Sequence, residues 1–223
     1  RRRKETIIGT RLAATGILVE AIGRTTRKPP VLVNASAVGY YGHVPEGDVT
    51  ENRPAGDDFL AQTTQQWEAA ALEAQRLGIR VVTIRTGFVL APDAPAFRKM
   101  VLPFKLFAGG PYGNGKQGFP WVHIDDVAAA YGAALENPQL TGPVNVAGPE
   151  NLTVKEFTRV LGKALHRPSW APAPAFALRI VLGEMADLLL KGHMVVPGKL
   201  LDTGFTFRFP TAKDALEDVV AKM

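Results

Sequence analysis

The sequence predicts an α/β fold, a doubly wound parallel sheet with a small α+β lobe behind it. Helix-period and β-rich segments alternate along the first two thirds of the chain, the order that builds parallel sheets covered by helices. Ile79-Arg-Val-Val-Thr-Ile84 is the short, β-branched kind of run that such sheets bury on both faces. The run Val31-Leu-Val-Asn-Ala-Ser-Ala-Val-Gly-Tyr-Tyr-Gly42 passes from apolar residues into small ones and then into a glycine-bearing turn. In open parallel sheets ligands bind just outside the carboxyl ends of the strands, where small residues let a flat ring approach the backbone.

Each element follows from local signals. Residues 5–22 read as a helix, with Leu12, Ile17, Leu18, Ala21 and Ile22 on its apolar side and Arg11 and Glu20 away from it. Pro29-Pro30 closes the connection to a strand over 31–36, and a loop from Gly39 to Asp58 follows. Asp57 or Asp58 caps a helix over 59–77 that Gly78 ends, and the strand 79–84 comes next. A helix near 94–107 precedes the glycine-rich loop Gly109–Gly118, and Phe119–Ile124 is extended. Asp125-Asp126 starts a helix through Asn137, Pro143–Ala147 is a strand, and Thr153 caps a helix to Leu165. Pro168, Pro172 and Pro174 stiffen the way into a mostly apolar helix over 175–191. Gly204–Pro210 alternates like a strand before Thr211 caps a last helix. Residues 1–150 thus form the sheet domain, with 92–122 on its substrate side, and 151–223 the smaller lobe.

Composition narrows the function classes. The net charge of +5 is an end effect: without Arg1, Arg2, Arg3 and Lys4, 22 basic residues face 21 acidic ones. No basic stripe interleaved with aromatics points to nucleic acid. The absence of cysteine excludes disulfides and thiolate metal sites and fits a reducing cytoplasm, the expected location. The scattered His43, His123, His166 and His193 lack ligand spacing, so no metal is expected. No unbroken apolar run reaches the roughly 18 residues of a membrane span, since Arg179, Glu184 and Asp187 interrupt the best candidate. The expected partner is a small molecule, with neither nucleic acid nor membrane; composition leaves the oligomeric state open.

Two motifs mislead. Gly113-Asn-Gly-Lys-Gln-Gly118 has the dinucleotide spacing G-x-G-x-x-G, but that motif needs a strand before it and a helix N-terminus after it, and neither flank fits. Tyr112 and Lys116 have the i,i+4 spacing that stacks a lysine beside a phenol on a helix, yet two intervening glycines make the stretch a poor helix. Lys116 is instead expected to meet an anionic group of a substrate.

The segments Asn34–Gly42, Asp57-Asp-Phe-Leu60 with Trp67-Glu68, Arg85-Thr-Gly87, Trp121-Val-His-Ile-Asp-Asp126 and the tail from Pro174 to Pro210 resemble, in this order, the atypical extended short-chain dehydrogenase/reductases. More narrowly they resemble epimerase-family proteins (NAD-dependent epimerase/dehydratase-like) with a characteristic C-terminal domain of undefined role. The resemblance spans essentially the whole chain. It implies a Rossmann domain binding NADP(H), with NAD(H) as the alternative, and a small lobe closing over a carbonyl or hydroxyl compound. It also implies that the strand, glycine-rich turn and helix of the phosphate cradle precede Arg1 in a longer protein, so the N-terminal strands of the sheet are expected to be missing here.

Position along the chain, together with the resemblance, gives residues their expected roles. Asn34, Ala35, Ser36, Arg85, Thr86, Gly87 and Phe88 are expected along the cofactor edge. Ser36 is expected to hydrogen-bond a substrate oxygen, with Lys116 and His123 on the substrate side. Where members carry Tyr-x-x-x-Lys, this chain has Phe59 and Thr63, which can neither donate a phenolic proton nor hold a ribose as lysine does. Tyr40 or Tyr41 is the expected replacement acid. Three readings follow: an oxidoreductase or epimerase, a non-catalytic cofactor-binding sensor or scaffold, and an interaction module built on helix 175–191.

Overall fold

The computed structural model describes residues 2–182, 190 and 192–223. Helix α1 (Arg2–Arg24) leads to strand β1 (Val31–Ala37), which ends in a 3-10 turn, Val38–Tyr41. Helix α2 (Phe59–Leu72) tightens into a 3-10 turn (Glu73–Leu77) and delivers β3 (Arg80–Thr86), with the two-residue β2 (Asp48–Val49) in the loop before it. Then come β4 (Phe88–Leu90), α3 (Pro95–Lys105), β5 (Trp121–His123), α4 (Ile124–Glu136), β6 (Gly142–Val146) and α5 (Val154–Ala164). The C-terminal part holds α6 (Ala175–Leu182), β7 (Met194–Val195), α7 (Gly198–Asp202) and α8 (Ala212–Ala221).

The caps explain the helix boundaries. Asp58 accepts hydrogen bonds from the Leu60 and Ala61 amides at the start of α2, and Gly78 takes the left-handed conformation (φ 76°) that closes the following turn. Thr153 and Glu156 form a reciprocal capping box on α5, and Thr211 accepts from the Asp214 amide on α8.

Strands β1, β3 and β6 form a parallel sheet in the order β1-β3-β6, with Val31 beside Arg80 and Val82 beside Gly142. Side-chain alternation divides it cleanly. Leu32 and Val81 face α1 and α2 and bury with Ile22, Ala71, Ala74 and Ile79. Val82, Ile84, Val144 and Val146 join Ala130 and Ala134 of α4 on the other side, with Leu200 of α7 and Phe207. Helices on both faces make the sheet doubly wound, as expected. Two pairings escaped the sequence reading: β4 with β5, and β2 with β7, both parallel. Their runs of two or three residues are too short for any period to show.

Four expectations change. Gly204–Pro210 forms no strand, opening on a turn at Gly204; the carboxylate of the fully buried Asp126 accepts from the Arg208 amide at 2.7 Å and the Phe209 amide at 3.1 Å. Asp126 therefore does not cap α4. His123 does, its Nδ1 accepting from the Asp125 amide. On α1 the inward residues are Thr15, Val19 and Ile22, whereas Ile17 and Leu18 are exposed and Arg11 lies over the Trp67 ring. By length and composition the better candidate for a membrane span is Lys4–Arg24 and not the segment near 171–190, because polar residues scattered around a helix leave its average hydropathy high. Of the predicted helix 175–191, α6 and Leu190 are described, and 183–189 and 191 lie outside the described residues.

Candidate functional site

The carboxyl ends of β1 and β3 lie side by side, Ser36 opposite Arg85 and Ala37 opposite Thr86. Pairing in parallel register points both Ser36 and Arg85 toward α2, where Glu68 waits. Glu68 receives the Ser36 hydroxyl at 2.6 Å, Arg85 Nε at 2.8 Å and Arg85 Nη2 at 2.8 Å. The Arg85 and Glu68 side chains are 3% and 7% exposed, so this is a bidentate ion pair in the interior. Glu68 is a bridging carboxylate and not a solvated one.

The guanidinium extends the network into the turn after β1. Its Nη1 donates to the Tyr41 hydroxyl at 3.0 Å, which itself donates to Asn145 Oδ1 at 2.6 Å. Burial raises the Tyr41 pKa, opposed by Arg85 and Asn145. Arg85 also stacks on Tyr40, its guanidinium carbon 3.4 Å from the ring centroid. Tyr40 is half-buried, and among the described residues its side chain makes contact through the ring while its hydroxyl has no hydrogen bond. The two tyrosines are thereby distinguished: one hydroxyl is locked into the interior, the other is uncommitted.

Around this centre sit groups the sequence reading did not assign. Asn145 on β6 donates from its side chain to the Val49 and Val196 carbonyls, while its amide reaches Glu51 Oε1 at 3.0 Å. The same Glu51 oxygen accepts the Lys199 amide at 3.1 Å. His193, 5% exposed, places Nε2 3.2 Å from the Val38 carbonyl and its ring edge-on to Tyr41. A polar Asn within the apolar strand Val144–Val146 was a visible signal. Glu51 and His193 sit in segments without periodicity and gave none.

The other expected site residues are dispersed. Asn34 faces α1, accepting from Thr15 and donating to the Ala35 carbonyl; with Ala35 and Trp67 it lines a groove of about 330 Å³ beside α1. The Thr86 hydroxyl lies 3.5 Å from the Ile84 carbonyl. Gly87 is required by close approach, since a Cβ there would strike the Pro120 carbonyl where β3 passes into β4. Phe88 donates its amide to Pro120 and packs on Phe119. Lys116 is exposed on the Gly109–Gly118 loop, which is non-helical at Tyr112–Lys116, and Gly113 and Gly115 take positive φ. His123, expected on the substrate side, is instead buried with both ring nitrogens used: Nδ1 caps α4, and Nε2 lies 3.1 Å from Asp218. No cluster of metal-ligating side chains occurs among the described residues.

A parallel sheet wound on both faces, with small residues and a polar network at its strand ends, defines an α/β protein of the Rossmann type. The chain belongs to the NAD-dependent epimerase/dehydratase family, whose model matches residues 1–147; a domain of unknown function (DUF1731) matches 173–219. It is 41% identical over 219 residues to the chloroplastic epimerase family protein SDR39U1 homolog of Arabidopsis thaliana, covering 97% of this chain and 63% of that protein. It is 37% identical to the epimerase family protein YfhF of Bacillus subtilis, covering 98% of this chain and 72% of that one. The crystal structure of human epimerase family protein SDR39U1 (isoform 2) with NADPH superposes with a TM-score of 0.94 at 34% identity, over 100% of this chain and 76% of that chain.

Proposed function

We propose that the protein containing this chain is an NADP(H)-dependent oxidoreductase or epimerase-type enzyme acting on a small or nucleotide-linked carbonyl or hydroxyl compound, with Tyr40 as its proton donor. Membership in the family and the NADPH held by the human relative support the cofactor. The small Ala37 at the end of β1 leaves room there for a flat nicotinamide. Among the described residues no strand runs into a glycine-rich turn and a helix N-terminus, so these residues would meet the nicotinamide end and not the pyrophosphate. When bound, the cofactor supplies the hydride.

The observation that carries this reading is the division of labour between the tyrosines. Tyr41 spends its hydroxyl on Asn145 and Arg85, whereas Tyr40 presents a free phenol from a ring held against a cation. Arg85 holds that ring by its face, and Glu68 fixes Arg85 in place. Ser36 commits its proton to Glu68 and so serves the site by positioning.

A second reading, a cofactor-binding sensor without turnover, is favoured by α2. There Phe59 lies under Lys4 Nζ, and the Thr63 hydroxyl turns back to the Phe59 carbonyl at 2.6 Å, so neither supplies the usual proton-transfer pair. NADPH oxidation by the intact protein across a carbonyl panel separates the two. The enzyme reading expects Tyr40→Phe to lose about a hundredfold or more in turnover with its melting temperature unchanged. Nucleotide binding without turnover of any carbonyl establishes the sensor.

A further inference from the structure

We propose that Nδ1 of His193 accepts a hydrogen bond from a hydroxyl group of the ligand in the strand-end cleft, making His193 a residue that selects hydroxylated substrates. This deepens the function proposed above and rests on its placement of the substrate beside the Val38–Tyr41 turn.

The ring's protonation follows from its partner. A backbone carbonyl can only accept, so the nitrogen facing Val38 must carry the proton, and Nε2–H is the form present. Nδ1 is then a bare lone pair. It is sealed from water and, among the described residues, has no hydrogen-bond partner, an unfavourable arrangement for any buried polar group. Protonation would not relieve it. Burial holds the ring's pKa below its ordinary value; His43 and Arg53 oppose a further positive charge, and Asp58 at the head of α2 and the Val38 carbonyl favour one less strongly than burial disfavours it. The group is therefore a neutral acceptor waiting for a donor.

Its position decides what that donor is. Val38 is the first residue beyond β1, and the imidazole lies edge-on to Tyr41 with ring centroids 5.9 Å apart, so His193 borders the turn that carries Tyr40. The segment bearing it is laid backbone to backbone on the Gly109–Gly118 loop. A Cβ on Gly192 would strike the Gly118 carbonyl, and one on Gly118 would strike the His193 backbone. A seam between two glycines has no interlocked side chains, so it can part without unpacking a core. A ligand that parts it and brings a hydroxyl satisfies Nδ1, whereas a purely apolar ligand leaves it unpaired. Discrimination built on an unsatisfied buried group exceeds what a fitted apolar pocket achieves.

The test uses the intact protein and two probes, D-glyceraldehyde and propanal, which differ in their hydroxyls. With NADP⁺ bound, so that neither aldehyde is reduced, the ¹⁵N resonance of His193 Nδ1 is expected to move upfield with glyceraldehyde and to stay in place with propanal. With NADPH, His193→Leu is expected to lower kcat/KM for glyceraldehyde about tenfold more than for propanal, the worth of one hydrogen bond, and His193→Gln to restore part of the difference. An Nδ1 signal unmoved by glyceraldehyde, or moved equally by both aldehydes, overturns the inference even if the enzyme turns over. A selective shift in a protein that turns over no member of the carbonyl panel sustains the inference and overturns the enzyme reading instead.

Discussion

Arg85 keeps its charge where almost no water reaches, and its worth depends on Glu68 being there. Removing one partner of a buried pair strands the other, so Glu68→Leu and Arg85→Met are each expected to cost about 3–5 kcal/mol, and the double variant Glu68→Leu with Arg85→Met much less than the sum of these two single changes. Urea unfolding of the three variants measures this. His193 links stability to pH. Its folded pKa is lowered, while the unfolded ring takes up a proton near pH 6.5, so its contribution is complete above that value and declines as pH falls toward the folded pKa. The stability gap between wild type and His193→Gln should therefore narrow between pH 7.5 and 5. The sequence marked Arg85, Ser36 and both tyrosines as belonging to one edge. It could not show that Arg85 serves the interior, because Glu68 is separated from it by a helix end and a turn whose packing sets which face meets which.

At the scale of the element, the segment 204–210 shows how a correct pattern can carry a wrong partner. Phe207 and Phe209 do alternate into the core, as period-2 sequences do. Alternation reports side-chain faces, though, and says nothing of where backbone amides are satisfied. Here one carboxylate, Asp126, does the work of a neighbouring strand. Asp126→Ala should cost about 2–4 kcal/mol by leaving two amides without their acceptor, and exchange at Arg208 and Phe209 should accelerate while α2 remains protected. The caps at Asp58, Thr153 and Thr211 were legible because each is a local contract between residues two or three apart. The inner face of α1 was not, since Thr15 is buried by hydrogen bonds to Trp67 and Asn34 that no apolar period encodes.

For the molecule as a whole, the proposed placement of the nicotinamide at the ends of β1 and β3 predicts that the 223-residue chain alone binds NADPH far more weakly than the longer protein, as titration calorimetry of both would show. The doubly wound sheet was readable because alternation of helix and strand is a pattern of long range. The contacts joining the C-terminal residues to it were not readable, because they run through single atoms. Two family models describe this chain as an epimerase part and a following domain, with a gap between them. The Glu51 carboxylate ignores that division: one oxygen holds the backbone of β6 and the backbone of α7. Phe97 and Phe104 of α3 likewise share one apolar cluster with Leu216 and Val219 of α8. A border visible in evolution is therefore not a border in folding. Cutting the tail away would uncover the apolar face that Phe97 and Phe104 share with Leu216 and Val219 and would take the Lys199 amide from Glu51. Changes within the lobe are therefore expected to be tolerated better than its removal, because the lobe completes an apolar core that the preceding domain begins.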